Sequence, residues 1–480
     1  MLNIKRSDVL LFICGILFVF IALWKLSLDE KILIKKPLTL NDIPVTVYSR
    51  SDGVLGPAVV IAHGFAGSQQ LMQSFAIYLA MNGYIAITFD FAGHGRNPTP
   101  LSGNITQTDG ATQVLVSELQ QVANFALSQG DGRLALLGHS MASDIVVRSA
   151  SLNSNVHATI TISMFSPAIT AKAPRNLLVI DGDWELRLKQ EALRAVSLFT
   201  SPLKAYPNVT YGNFVEGNAR RASFIPYSEH LSVLYRTQSL RETLDWLDGV
   251  FNLKRKFPAD VAQRGSWIVL FFSGIIILIW PITSVLPVVS VPSKGLGAKR
   301  SGWDFWLCIL VPTLLTPALL RFIPTHVLPV MIADYLSVHF AVYGSLMALC
   351  LYFTKKEAQS EINEPISWLA FGGSIFLLVM FFFFGFILPI NAYFTSFIPT
   401  ASRVLIIILL LVGSLLFFLS DEWLTHGKRT IKGASLISKI AFLLSLCIAV
   451  SLDFKRLFFL ILIVPVIVLF FLIFGLISAK

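Results

Sequence analysis

Apolar positions along the chain fall into two regimes. Between residues 30 and 250, short apolar runs alternate with helix-spaced stretches; between 267 and 477, one long apolar run follows another. In the first regime the runs at 44–48, 58–62, 84–89, 134–137, 157–163 and 176–180 predict strands. The spacing predicts helices over about 68–82, 110–127 and 185–198, another starting at 143, and a last one closing at Trp246-Leu247. Strands separated by helices of this length imply parallel pairing with right-handed crossovers, and in such sheets the site lies at the carboxyl ends of the strands.

In the second regime, seven apolar segments occupy about 267–290, 304–322, 327–353, 366–390, 402–419, 437–452 and 457–477. Most are long enough to cross a hydrocarbon layer of ~30 Å. A further apolar segment at 9–24 follows Lys5 and Arg6, lacks a small-x-small cleavage site and stops at Trp24-Lys25, as an uncleaved anchor would. The expected organisation is an N-terminal transmembrane anchor (1–29), a water-soluble α/β domain (30–253), a charged linker (254–266) and an all-α membrane domain of about seven helices (267–480). Eight spans place both termini on one side. Lys294, Lys299, Arg300, Lys355, Lys356, Lys428, Arg429 and Lys432 fall in one set of short loops, and Arg321, Arg403, Lys455 and Arg456 in the other. The richer set shares a side with Lys5 and Arg6, so the positive-inside rule predicts cytoplasmic termini in an inner (plasma) membrane and an extracytoplasmic α/β domain. Lys254 to Lys256 weigh the other way. Asp334 and His339 are the notable ionisable residues inside the spans: a functional position by default, or for Asp334 an interfacial one. Pro281, Pro287 and Pro329 are places for helix kinks.

Composition agrees with this division. The chain of 480 residues is 55% hydrophobic and only 14% charged, with a mean hydropathy of +0.70, too apolar for a soluble protein. Its formal net charge of +10 suits basic loops against anionic lipid, so the bilayer is the expected partner. The soluble part has no basic face with base-stacking aromatics, which argues against a nucleic-acid partner. Cys14, Cys308, Cys350 and Cys447 all lie in apolar segments, so no disulfide framework is implied. No cofactor or metal motif is read, and protein partners are left open.

The chemistry concentrates at Gly138-His139-Ser140-Met141-Ala142, directly after the apolar run 134–137 and directly before a helix. A strand, a Gly-x-Ser-x-small turn and a helix form the context in which a serine becomes a nucleophile. Residues two before and two after the serine must be small to avoid collision; Gly138 meets that demand, and Ala142 meets it less fully than the usual glycine. The helix N-terminus beneath favours negative charge.

His63-Gly64-Phe65 after one strand, Asp90-x-x-Gly93-His94-Gly95 after another, and Gly138-His139-Ser140-Met141 occur in the order and spacing of the α/β-hydrolase superfamily. Residues 44–250 resemble its monoglyceride-lipase and dienelactone-hydrolase-like branches. The resemblance implies an α/β-hydrolase fold and a serine hydrolase. Ser140 would be the nucleophile, and His230, after the last strand, would be its base. Glu185, in the position matching the family acid, would orient the base, with Asp183 the alternative acid and Asp181 the weakest of the three. The backbone N–H groups of Phe65 and Met141 would form the oxyanion hole. His94 and His139 read as packing and turn residues, and Arg220 and Arg221 as solvated surface. Residues 164–175 leave no room for a helical lid, so the site is expected to be open or covered by something elsewhere in the chain. Two functions fit: an integral-membrane hydrolase of a small-molecule or lipid acyl ester (amide or thioester less favoured), or a non-catalytic hydrolase-like module of a transport or scaffold protein.

Overall fold

The computed structural model describes residues 5–29, 31, 33–102, 110–255, 257–286, 302–325, 328, 330, 332–354, 367–425 and 431–478. Lys256, Pro287, Pro329 and the loop positions Lys294, Lys299, Arg300, Lys355, Lys356, Lys428 and Arg429 lie outside the described residues. Two compact units emerge. One comprises Ile16–Ile275 with Phe382–Thr400; the other comprises Met1–Gly15, Ile276–Phe381 and Ala401–Lys480.

The first unit is built on an eight-stranded sheet. Its strands are β1 (Leu33–Leu40), β2 (Ile43–Arg50), β3 (Ala58–Ala62), β4 (Ile85–Phe89), β5 (Leu134–His139), β6 (Val156–Ile162), β7 (Leu177–Gly182) and β8 (Arg220–Ile225). The order is β1-β2-β4-β3-β5-β6-β7-β8; β1, β2 and β4 pair antiparallel, and every pair from β4 to β8 is parallel. Alternation along each central strand splits the core into two faces. Val59, Ile61, Ala135, Leu137, Leu178 and Ile180 pack with α2 (Gln73–Met81) and α6 (Thr237–Phe251). On the other face, Val60, Leu134 and Leu136 pack with α3 (Ala111–Gln129) and α4 (Met141–Leu152), while Leu177 and Val179 pack with α5 (Leu186–Thr200). This is the α/β-hydrolase sheet, and it places the ends of β3, β4, β5, β6, β7 and β8 along one edge.

The sequence pattern does not predict β1, because Lys35, Lys36 and Pro37 break its apolar alternation. It is an edge strand exposed over most of its length, where charge and proline are the usual protection against pairing. Arg220 corrects the expectation of solvated surface: it opens β8, is 1% exposed, and donates from Nη2 to the Thr170 carbonyl at 3.1 Å. Arg221 is half-buried and ion-paired with Glu242.

Among the described residues, seven helices are long and apolar enough to cross a membrane: Arg6–Leu28 (α1), Arg264–Val285 (α7), Trp303–Leu320 (α8), Ala333–Phe353 (α9), Trp368–Tyr393, Ala401–Thr425 and Ala434–Leu452. The last expected span is occupied by a shorter apolar helix, Phe459–Gly475. By length and composition this is a multi-pass membrane protein. Trp368–Tyr393 comprises α10 (Trp368–Phe382), a π turn at Phe383–Ile387 and α11 (Leu388–Tyr393). Pro281 lies inside α7.

Within the second unit, α9 and α12 (Ala401–Thr425) touch backbone to backbone. A Cβ on Gly413 would lie 2.1 Å from the Ser337 carbonyl oxygen, the close approach that small residues permit between apolar helices. Asp334 is buried in the first turn of α9, and His339 bonds through Nε2 to Ser445 Oγ at 3.1 Å, packed on Phe442. The pattern of spans misses a stronger feature, the buried ion pair between Asp421 on α12 and Lys439 on α13 (Ala434–Leu452). Both charged groups are buried, and each becomes affordable only against the other.

Candidate active site

The serine elbow is formed by local sterics. Ser140 has φ 54° and ψ −117° between β5 and α4, a conformation that costs about 1–3 kcal/mol and must be held by its surroundings. Its N–H donates to the Ile162 carbonyl at 2.8 Å, and its own carbonyl accepts from Ser143 N–H and Oγ–H at 2.9 and 2.6 Å. The requirement for small flanking residues is explicit. A Cβ at Gly138 would sit 2.5 Å from the Ala142 carbonyl oxygen, and Ala142 is itself fully buried.

Ser140, His230 and Glu185 come together from three strand ends. Ser140 Oγ lies 2.8 Å from His230 Nε2, and His230 Nδ1 lies 2.6 Å from Glu185 Oε1. The second Glu185 oxygen accepts from the Gly182 N–H and from Ser163 Oγ, each at 2.8 Å. The carboxylate therefore has a full set of donors, and His230 is held with a proton on Nδ1 and a lone pair on Nε2 facing the serine. Ser163, at the end of β6, is a partner that sequence reasoning did not single out. Asp183 points elsewhere: it pairs with Lys189 and is about half exposed at 49%.

Asp181 is also turned away, with Oδ1 accepting from Met164 N–H at 3.0 Å. Burial pushes its carboxyl up to about 8, against the opposing Met164 bond. A folded-state value raised above the unfolded one means stability present at low pH and lost as pH rises from about 3.8 toward 8. Asp181→Asn, neutral throughout, is expected to remove that decline. Its melting temperature relative to wild type should grow by about 5 °C or more between pH 5 and 8. A constant difference across this range would refute the burial of a neutral Asp181.

Two further histidines beside the site, His63 and His139, are buried. His63 Nε2 accepts from Phe91 N–H at 3.2 Å and its Nδ1–H donates to the Gly64 carbonyl at 2.8 Å; burial lowers its pKa to about 4. His139 donates from Nε2 to the His230 carbonyl at 3.0 Å, and burial, then the neighbouring His230, lower it to about 3. Both fix loops around the site and leave His230 as the histidine against Ser140.

The loop after β3 closes over the serine. A Cβ at Gly64 would lie 2.9 Å from Ser140 Cβ, so only glycine lets the loop carry Phe65 alongside Ser140. Met141 opens α4 on the other side. Asp90, at the end of β4, ties this loop to its neighbour by accepting from Gln69 N–H at 2.8 Å and Arg96 N–H at 2.9 Å. Burial raises its carboxyl above the usual range, opposed by these same bonds.

A mostly parallel sheet with a strained serine elbow and a histidine and acid on later strand ends defines an α/β-hydrolase domain, carried here on a chain with a multi-helix membrane part. Residues 56–207 match the family model described as serine aminopeptidase, S33. Among solved structures, the chain is similar to a CIB-like hydrolase from Thermoplasma acidophilum, with 15% identity over 45% of this chain and 97% of that one and a TM-score of 0.34. It is likewise similar to a membrane phospholipase A described as a bacterial virulence factor (15% identity, 51% and 95% covered, TM-score 0.34). A third likeness is to an epoxide hydrolase from Vigna radiata (21% identity, 29% and 41% covered, TM-score 0.24). No curated protein matches the chain.

Proposed function

We propose that the protein is an integral-membrane serine hydrolase acting on a carboxylic ester of a small-molecule or lipid acyl substrate. The continuous Ser140–His230–Glu185 hydrogen-bonded chain carries this reading. Ser140 attacks the acyl carbon as His230 Nε2 takes its proton, and Glu185 stabilises the imidazolium. The Phe65 and Met141 N–H groups receive the developing oxyanion, where one donor is worth about 3 kcal/mol. His230 then returns the proton to the leaving alkoxide, and water releases the acyl group from Ser140 by the same route in reverse. Labelling of purified membranes with a fluorophosphonate, together with turnover of p-nitrophenyl esters, tests the reading. A folded protein that neither labels nor turns over would instead be a non-catalytic module.

The proposed orientation puts the hydrolase domain outside the cytoplasm, beside envelope or exogenous acyl substrates. Long domains translocate with little regard to their own charge, so the short basic loops and Lys5-Arg6 outweigh the linker. In a background lacking Cys14, Cys308, Cys350 and Cys447, single cysteines at exposed Ser51 and Ser154 should react in intact cells with a membrane-impermeant thiol reagent. Reaction only after permeabilisation, with a control cysteine in the 294–300 loop reacting freely, would reverse the orientation.

A further inference from the structure

We propose that the segment 391–398, which runs from the last turn of α11 into the connection before α12, is a built-in support of the oxyanion loop, and that Ser68 and Asn391 are positioning residues for catalysis. The inference rests on the hydrolase reading above and adds to it a dependence of the site on a segment more than 300 residues away in sequence. Phe382–Thr400 belongs to the same compact unit as the sheet.

The contacts are polar, buried and shared between the two loops beside the nucleophile. Ser68 directly follows the His63-Gly64-Phe65-Ala66-Gly67 loop and precedes a short 3₁₀ turn at Gln69–Met72. A serine in that place usually caps its own helix. Here it makes no such bond, and Ser68 Oγ instead accepts from Ser396 N–H at 3.0 Å and meets Thr395 Oγ1 at 3.3 Å. Gln70 donates to the Asn391 carbonyl at 2.9 Å and accepts from Ser396 Oγ at 2.9 Å, and Gln73 donates to the Ala392 carbonyl at 3.2 Å. Ser68, Gln70 and Gln73 are all buried, so these side chains depend on the 391–396 segment to satisfy their hydrogen bonding.

The Asn391 carbonyl also accepts from Arg96 Nη2 at 3.2 Å. One carbonyl thus joins the loop after β3 to the loop after β4, the same two that Asp90 ties from within. Asn391 closes the segment on itself: its Oδ1 accepts from Phe397 and Ile398 N–H at 3.1 and 3.2 Å. Pro389, Ile390, Tyr393 and Phe394 line a small apolar crevice with residues of α1 and α7. Arg264, 1% exposed, reaches Gln73 Oε1 at 2.8 Å and lies over the Tyr393 ring. The segment is held by membrane-length helices on one side and grips the oxyanion loop on the other.

A donor such as Phe65 N–H acts on the charge that develops in the transition state, so displacing its loop costs turnover more than substrate binding. The test uses the full-length protein in detergent, p-nitrophenyl butyrate as substrate, and fluorophosphonate titration to count active sites. Ser68→Ala and Asn391→Ala are expected to lower kcat about tenfold with KM within about twofold, and to slow fluorophosphonate labelling in parallel. Ser68→Thr and Asn391→Asp, which keep the acceptor oxygens, should stay near wild type. If both alanine variants keep wild-type kcat per titrated site, including after a drop in thermal stability, the inference is overturned and the hydrolase reading stands. Should Ser68→Ala fail to fold, Asn391→Ala decides alone, since its side chain bonds only Phe397 and Ile398 N–H in its own segment. A wild-type protein that neither labels nor turns over removes the hydrolase reading, and this inference with it.

Discussion

Replacing Ser140 by alanine is expected to abolish fluorophosphonate labelling and to lower ester hydrolysis about 10⁴-fold or more, with folded protein at wild-type yield. The size of the effect follows from the geometry. Ser140 Oγ is the atom against His230 Nε2, and in the proposed mechanism its loss leaves a base and oxyanion donors but no nucleophile to form the acyl intermediate. Folding should be spared, because the backbone bonds that hold the elbow, from Ser140 N–H to Ile162 and from Ser143 to the Ser140 carbonyl, do not involve the hydroxyl. The positive φ of Ser140 is no easier for alanine, so a small loss of stability is allowed and a large one is not. Undiminished hydrolysis by the purified variant would sink the nucleophile assignment.

Glu185→Gln should lower kcat/KM by about 10²- to 10⁴-fold, whereas Asp183→Asn should change it less than about twofold. Glu185 must accept on both oxygens, from His230 Nδ1–H on one and from Gly182 N–H and Ser163 Oγ on the other. An amide offers one accepting and one donating end. If its NH₂ faces Gly182, two donors collide; if it faces His230, the imidazole proton moves to Nε2 and the ring no longer accepts from Ser140. Asp183 spends its charge on Lys189 at a half-exposed position, where such a pair contributes little. The measurement is kcat/KM for both variants on one ester. Loss confined to Asp183→Asn would move the acid to that residue.

Much of this molecule is legible in its sequence because the governing constraints are local. Unbroken apolar runs in 58–62, 134–137 and 177–180 mark strands buried on both faces, since each side chain must meet one helical layer or the other. The crowding at the elbow demands small residues two before and two after Ser140, and that demand is written as Gly138 and Ala142. Membrane-length apolar runs are set by the thickness of the hydrocarbon layer and need no partner to be recognised. What the fold alone decided depends on groups distant in the chain. Asp181 at the end of β7 and Asp183 and Glu185 just after it lie within five residues, and only the surrounding donors and the Lys189 ammonium separate them. The burial of Arg220, the pairing of Asp421 with Lys439 and the edge position of β1 likewise leave no periodic trace. The docking of Asn391 to Ser396 on Ser68, Gln70 and Gln73 is the clearest case: the end of an apolar run and a glutamine-rich helix start acquire their meaning only when a tertiary contact satisfies their buried polar groups.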